Sequence, residues 1–401
     1  MPEGMQILVR KGEEHIETAL LQDGLLLEYD RRAHTGSGLV GTVMLGRVER
    51  VLPDVKAAFV NIGRKLNGFL PIRESESYHA LNGKSPLVTG SDVIVQVKKD
   101  EKGGKGAFLS RDIALPGQYL LLLPMSRFVG VSKRIEDPVQ HAVAKALGKA
   151  VAQDRFGVII RHAALFARRA DVHREAEEMY ESWHSAIAHA QMRKAPAVLL
   201  EDRPYHEMLA RDYSARYPVR LCAEAGSVSA DNLSQNVAFS PCDSLAVEAL
   251  WQGSHVFRQL REALERKVQL PGGASLVIDE REALHTIDVN SGGNVSAETG
   301  MSLALTQNLS AAGEIARQIR LRNLSGIILI DFIDMENAEE QAKLQAAMEE
   351  ALSADRIKTV VHGFTSLGLL ELTRKRTAST LREVLTVPCS HCNGTGYQNL
   401  P

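Results

Sequence analysis

Long apolar runs are missing from this 401-residue chain. None approaches the roughly 18 residues that a membrane-crossing helix needs, so no membrane span is expected. Residues 1–14 are polar and mixed in charge, which does not fit a signal peptide. Cysteine is scarce: Cys222 and Cys242 stand alone, while Cys389 and Cys392 lie close together. Four cysteines so placed exclude a secreted disulfide framework, and the cytoplasm is the expected compartment. Neither sign of charge prevails, with 47 Lys and Arg against 49 Asp and Glu. A strongly basic protein is thereby excluded, but a nucleic-acid partner is not, because a local positive patch suffices. Glycine-rich nucleotide fingerprints are also absent. Gly292-Gly293 follows neither the Gly-x-Gly-x-x-Gly nor the Walker pattern and is a weak phosphate-loop signal.

What is present is ordinary globular material, 44% hydrophobic and 24% charged, long enough for two to four domains. One stretch organises it. Leu284-His-Thr-Ile-Asp288-Val-Asn290-Ser-Gly-Gly293 is answered by Ile327-Ile-Leu-Ile-Asp331-Phe-Ile-Asp334. Each is a short apolar run of the kind that forms a buried, parallel strand, and each ends on a carboxylate. A helical segment of about 303–322 between them makes a β-α-β unit, with both acids at C-terminal strand ends where open α/β sheets place their sites. Asp288 and Asn290, two apart, share one face if extended. Two converging carboxylates suit a divalent metal used in phosphate chemistry. The same acids also suit helix capping, and Asp334 fits either a supporting role or a cap near Asn337.

Elsewhere, residues 5–30 read as two or three antiparallel strands too few to make a core, with a boundary at 35–38. From about 39 to 110 short strands alternate with Gly, Pro and Asn turns, which fits a small closed barrel of the OB type. Phe59 and Phe69 are candidate base-stacking residues, although a Phe in a strand equally fills a core. Lys98, Lys99, Lys102 and Lys105 are candidate phosphate contacts or a solvated hairpin. In 114–200 a strand at 119–123, a basic turn at 127–134, a helix at 139–153, a strand in 157–162 and a long helix at 168–194 follow. Arg161 directly after a buried-type strand is a candidate phosphate ligand. The stretch 211–243 has no clear pattern and is a candidate partner for the N-terminal strands. Further on, a strand pair at 274–288, a helix at 337–353, a strand at 357–362 and a helix from about 366 to 376 are expected. Cys389-x-x-Cys392 gives two thiolates where structural zinc wants four. A redox pair, a zinc shared with a second chain, or help from Cys222 and Cys242 are the alternatives.

Five blocks together resemble the catalytic region of bacterial ribonuclease E/G: Ala57-Ala-Phe-Val-Asn-Ile-Gly63 with Gly68-Phe-Leu-Pro71, Thr286-Ile-Asp-Val-Asn-Ser291, Glu314 to Asn323, Ile330-Asp-Phe-Ile-Asp-Met335, and Cys389 to Gly396. The resemblance implies an α/β multidomain fold. An RNase H-like subdomain (1–37 plus 201–262) would be interrupted by an S1 (OB-fold) barrel (38–111) and a 5′-sensor (112–200). A DNase I-like α/β catalytic subdomain (263–386) and a Cys-x-x-Cys zinc link (387–401) would follow. It further implies a Mg²⁺-dependent endoribonuclease cutting single-stranded RNA to 5′-phosphate and 3′-hydroxyl ends, in rRNA maturation or mRNA turnover. Carried residue by residue, Asp288 and Asp331 bind Mg²⁺, with Asn290 as their partner toward the scissile phosphate. Phe59, Phe69 and Lys105 contact RNA, while Gly130, Val131, Arg161 and His162 form the 5′-phosphate pocket. Cys389 and Cys392 bind a Zn²⁺ shared between the two chains of a homodimer.

Three departures modify this picture. His162 stands where the family has Thr, which bears on the 5′-end preference. The loop 291–298 lacks the basic residues and later acidic pair of well-known members. No small assembly domain and no degradosome scaffold tail follow the cysteine knuckle, so a zinc-linked dimer or a monomer is expected. The alternative functions are a non-catalytic RNA-binding or maturation protein with a degenerate active-site loop, and a DNA- or nucleotide-directed hydrolase.

Overall fold

The computed structural model describes residues 4–33, 39–72, 87–101, 104–225, 227–228, 233, 236–292, 302–335 and 337–392. The boundary at 35–38, Lys102, most of the 291–298 loop and the knuckle beyond Cys392 lie outside them. The chain divides into two compact units, one made of 1–31, 218–231 and 237–401, the other of 32–217 and 232–236. The second unit is thus inserted in the sequence of the first.

Strands β1 (Met5–Lys11), β2 (His15–Gln22) and β3 (Leu25–Ala33) form an antiparallel meander. The inserted unit begins with β4 (Val43–Leu52), β5 (Ala57–Asn61), β6 (Gly68–Pro71), β7 (Asp92–Lys99) and β8 (Phe108–Ser110). These run in the order β4-β5-β6-β8-β7 and close through a β4–β7 pairing, giving a five-stranded barrel. Alternate residues fill it: Val48, Ala58, Val60, Leu70, Val95, Val97 and Leu109 are buried together, as a period of two requires.

A smaller sheet follows, with β9 (Leu115–Pro116), β10 (Leu120–Leu123), β11 (Val129–Val131) and β12 (Gly157–Ile160) in the order β11-β12-β10-β9. Helices α1 (Pro138–Ala152) and α2 (Arg169–Met192) pack on it. Asp137 caps α1 by accepting the Gln140 N–H at 2.7 Å, with Pro138 at the first helical position. The last strand of the 112–200 stretch, β13 (Ala197–Leu200), pairs with β4 rather than with this sheet. Helix α3 (Tyr205–Tyr213) completes the unit.

The chain then returns to the first unit. The stretch without a legible pattern supplies β14 (Val219–Glu224), parallel to β1, and β15 (Val237–Cys242) beside it. The orphan N-terminal strands thereby acquire a sheet, β15-β14-β1-β2-β3, covered by α4 (Ser244–Gly253) and α5 (Val256–Leu264) through Trp251, Val256 and Leu260.

A six-stranded mixed sheet ends the chain. It contains β16 (Lys267–Gln269), β17 (Ser275–Glu280), β18 (Leu284–Asn290), β19 (Gly326–Asp331), β20 (Thr359–Phe364) and β21 (Leu370–Arg374), ordered β16-β17-β18-β19-β21-β20. Helices α6 (Leu303–Leu321) and α7 (Ala338–Ser353) pack on one face against Ile287, Val289, Ile328 and Ile330; α8 (Leu381–Leu385) follows.

Two expectations need correction. β18 and β19 are parallel, but they are buried on one face only, because both helices pack on the same side; Thr286 and Leu329 are half-buried and Ile327 is 43% exposed. The segment expected as a helix from 366 to 376 is the strand β21. Its burial alternates, with Leu370, Leu372 and Arg374 inside, and the hairpin turn 365–369 pairs it with β20. Its leucines repeat every two residues, and that period, not helix propensity, decided the outcome.

Candidate metal centre and its companion sites

The register of the parallel pair sets the centre. Asp288 on β18 stands opposite Asp331 on β19, so their Cα atoms are about 5 Å apart. Both side chains are exposed, on the face opposite the helices. Asn290, on the same face as Asp288, donates its amide Nδ2 to Asp288 Oδ2 at 2.8 Å, which fixes the carboxylate's orientation. Partial burial raises the pKa of Asp331, and the neighbouring charges of Asp288 and then Asp334 raise it further. Every charged neighbour that acts on Asp331 among the described residues is therefore acidic. Asp334 is not the helix cap: Asn337 caps α7, accepting the Glu340 N–H at 2.9 Å.

The donors are of the kind that Mg²⁺ takes: two carboxylates, an adjacent amide, and open solvent for waters and phosphate oxygens. Among the described residues no group of three or more His, Cys, Asp or Glu is gathered for a metal. Gly292 serves packing here. A Cβ on it would lie 2.4 Å from both the Ala274 nitrogen and the Gly272 carbonyl, so the chain leaving β18 passes too close to the 272–274 turn for any side chain.

On the barrel, Phe59 and Phe69 are register partners on β5 and β6, and Phe108 on β8 is the partner of Phe69. Their ring centroids are 6.1 Å apart in each step. All three are half-buried, while the alternate residues enter the barrel core; the core reading of these phenylalanines does not hold. The row extends to a cation at each end, Arg50 opposite Phe59 and Lys99 opposite Phe108. The Lys99 ammonium lies 5.8 Å from the Phe108 centroid. Lys105 is exposed just before β8. Phe108 and Arg50 were not legible as members of this band, because only the strand register brings them beside Phe69 and Phe59.

Arg161 follows the last residue of β12. It donates to the Gly117 carbonyl and, at 2.9 Å, to Asp212, which also accepts from Arg211 at 3.0 Å. Two guanidiniums thus share one carboxylate. His162 Nδ1 lies 2.8 Å from Arg216 Nη2. Burial, then the Arg216 and Arg134 charges, hold the imidazole below the usual histidine pKa; a guanidinium can only donate, so Nδ1 is the acceptor in this contact. Gly130 and Val131 belong to β11, beside β12. A Cβ on Gly130 would lie 2.6 Å from the Phe128 ring. Arg211, Asp212 and Arg216 have no local signal in the sequence: Asp212 lies 51 positions from Arg161 and Arg216 lies 54 from His162.

Cys389 is exposed and Cys392 half-buried. Cys222 and Cys242 do not join them. They lie on β14 and β15 and pack with the Trp251 cluster, and burial pushes the Cys222 thiol up, which makes it a poor metal ligand. No helix of the described chain is long and apolar enough to cross a membrane.

Residues 114–377 match the sequence model of the Ribonuclease E/G family. The chain is 34% identical to Ribonuclease G of Escherichia coli (strain K12) over 409 residues, covering 98% of this chain and 84% of that one. Ribonuclease G of Haemophilus influenzae is 32% identical with the same coverage. Ribonuclease E of Nostoc sp. is 34% identical over 379 residues, which is 90% of this chain and 55% of that one.

Proposed function

The chain belongs to the Ribonuclease E/G family, and from that membership we propose that it is a Mg²⁺-dependent endoribonuclease. It hydrolyses single-stranded RNA to 5′-phosphate and 3′-hydroxyl ends, in RNA maturation and turnover in the cytoplasm. The observation that carries this reading is the register of β18 and β19. It sets two carboxylates side by side on an open sheet face, with only acidic charges acting on Asp331 among the described residues.

Asp288 and Asp331 would hold the Mg²⁺, whose chemistry is to neutralise the scissile phosphate and to make a water acidic. Asn290 restrains Asp288 and orients the phosphate as a neutral amide, adding no charge to the site. The Arg50–Phe59–Phe69–Phe108–Lys99 band binds single-stranded RNA, its rings stacking on bases and its ends meeting phosphates. Lys105 adds a further cation. Arg161, with His162 and the Gly130-Val131 strand, takes a 5′-phosphate.

Cys389 and Cys392 supply two thiolates to a structural Zn²⁺ completed by a second copy of the chain. About half a zinc per chain is expected, with Cys389→Ser converting dimer to monomer; one zinc per monomeric chain would overturn the shared link. The deciding experiment for the whole reading is cleavage of a short single-stranded RNA with and without Mg²⁺. Asp288→Asn should fold as the wild type and cut at least about 100-fold more slowly. Unchanged cutting by that variant would remove the metal site, and cutting of the matching DNA at the same rate would remove the RNA specificity.

A further inference from the structure

Two consecutive residues of α6, Gln307 and Asn308, are amides that lie almost wholly inside the protein, 4% and 0% exposed. They sit among the apolar residues that join the helix to the sheet, with Leu305, Ala311 and Ala312 of the same helix in that core. A buried amide is costly unless its hydrogen bonds are made, so where these bonds go is informative.

Asn308 spends both ends of its amide on one backbone residue. Its Nδ2 donates to the Ile333 carbonyl at 2.8 Å, and its Oδ1 accepts the Ile333 N–H at 3.1 Å. Ile333 lies two residues beyond Asp331 and one before Asp334. The β19–β21 ladder ends at Ile330, and the β18–β19 ladder ends at Asp331 itself. Asn308 therefore acts as a one-residue strand, continuing the pairing where the sheet stops. Gln307 holds the other segment, by one end of its amide only. Its Nε2 donates to the Gly292 carbonyl at 3.2 Å, two residues beyond Asn290, on the segment already held against the 272–274 turn. One turn of one helix thus holds both segments as they leave the strands that bear Asp288 and Asp331.

Strand ends are where a sheet frays, and here like charges push on the pair. A displacement of about 1 Å at a reacting centre is enough to lose roughly 100-fold in rate. The Gln307 Oε1 atom is buried with no hydrogen-bond partner among the described residues. For packing alone, an apolar side chain of the same length would serve the helix better.

We propose that Gln307 and Asn308 are positioning residues for the carboxylate pair, which fix the separation of Asp288 and Asp331 by clamping the backbone at Gly292 and Ile333. This rests on the reading of Asp288 and Asp331 as the metal-binding pair. Neither amide touches the reacting atoms.

The test uses the full chain and measures Mn²⁺ binding directly, from the free-ion signal in electron paramagnetic resonance, beside melting temperature and RNA cleavage across Mg²⁺ concentration. Gln307→Met keeps the volume and removes one bond. It should melt at or above the wild-type temperature, bind Mn²⁺ about 10-fold more weakly, and recover cleavage at high Mg²⁺. Asn308→Ala removes two bonds, and its loss of affinity should approach about 100-fold with a lower melting temperature. Should Asn308→Ala fail to fold, Gln307→Met decides. Wild-type Mn²⁺ affinity in the folded variants would overturn the clamp and leave the metal site standing. A wild-type protein that binds no Mn²⁺ would remove the metal site, and the clamp with it.

Discussion

Two strand ends in this protein carry charge of opposite sign, and they are built differently. At the end of β18 and β19, Asp288 and Asp331 face each other, and the charges acting on Asp331 among the described residues are acidic. At the end of β12, Arg161 is already tied to Asp212 and to the Gly117 carbonyl. The acidic end is left uncompensated, as a site must be if a diffusible cation is to complete it. The basic end is compensated: Asp212 accepts from both Arg161 and Arg211, and the carboxylates of Glu175 and Asp202 lie within electrostatic reach of Arg161 and Arg211. A mobile small ion can be awaited by bare ligands; a flexible arginine needs a partner to hold it still.

The largest expected effect breaks the acidic end. Asp331→Asn should cost about 1,000-fold in cleavage, roughly 4 kcal/mol. Because the Asp331 pKa is raised, its charged form is disfavoured in the metal-free fold, and neutralising it should leave the melting temperature equal or higher near pH 7. A clear drop in melting temperature would show that Asp331 has a stabilising partner and that the two ends are alike.

The next effect tests how much more positive charge the basic unit can take. His206 on α3 is buried, its Nε2 has no hydrogen-bond partner among the described residues, and its pKa is lowered to about 4 by burial and then by the charge of Arg32. The unfolded imidazole titrates near 6.5. The folded state thus binds this proton less well, so its contribution is fully present above about pH 6.5 and is lost as pH falls toward about 4. The loss should be on the order of 3 kcal/mol, read as the fall in urea stability between pH 7.5 and 4. His206→Phe should show a shallower fall; parallel curves would sink the assignment.

The smallest effect sharpens the comparison at the arginine itself. Arg161→Gln should reduce the preference for 5′-monophosphate over 5′-hydroxyl RNA by up to about 10-fold, leaving cleavage of the 5′-hydroxyl substrate unchanged, since only a charge-assisted contact to the end group is lost. Equal rates on the two substrates in the wild type would remove Arg161 and His162 from that role.

Much of this is legible in the sequence. The β-α-β unit around Asp288 and Asp331 announced itself because apolar strand runs, a helical period and terminal acids are all local patterns. The barrel was legible from its turns, and Arg161 from its position after β12. The β21 strand is not legible, because its leucines suit a helix as well as a strand and only the pairing with β20 decides between them. Phe108, Arg216 and the two clamp amides had no local signal at all.

The sequence by itself determined which chemistry is available: two carboxylates and an amide on one strand pair, aromatic and basic residues on a barrel, a cysteine pair, and membership of a nuclease family. Only the tertiary structure decided which of these groups meet. Register placed Asp331 opposite Asp288 and aligned three phenylalanines from three strands. Helix packing set Gln307 and Asn308 under both strand ends. The physical reason is range. A side chain's type and its period along the chain are local properties, whereas its neighbours are set by the burial and pairing of segments far apart in sequence.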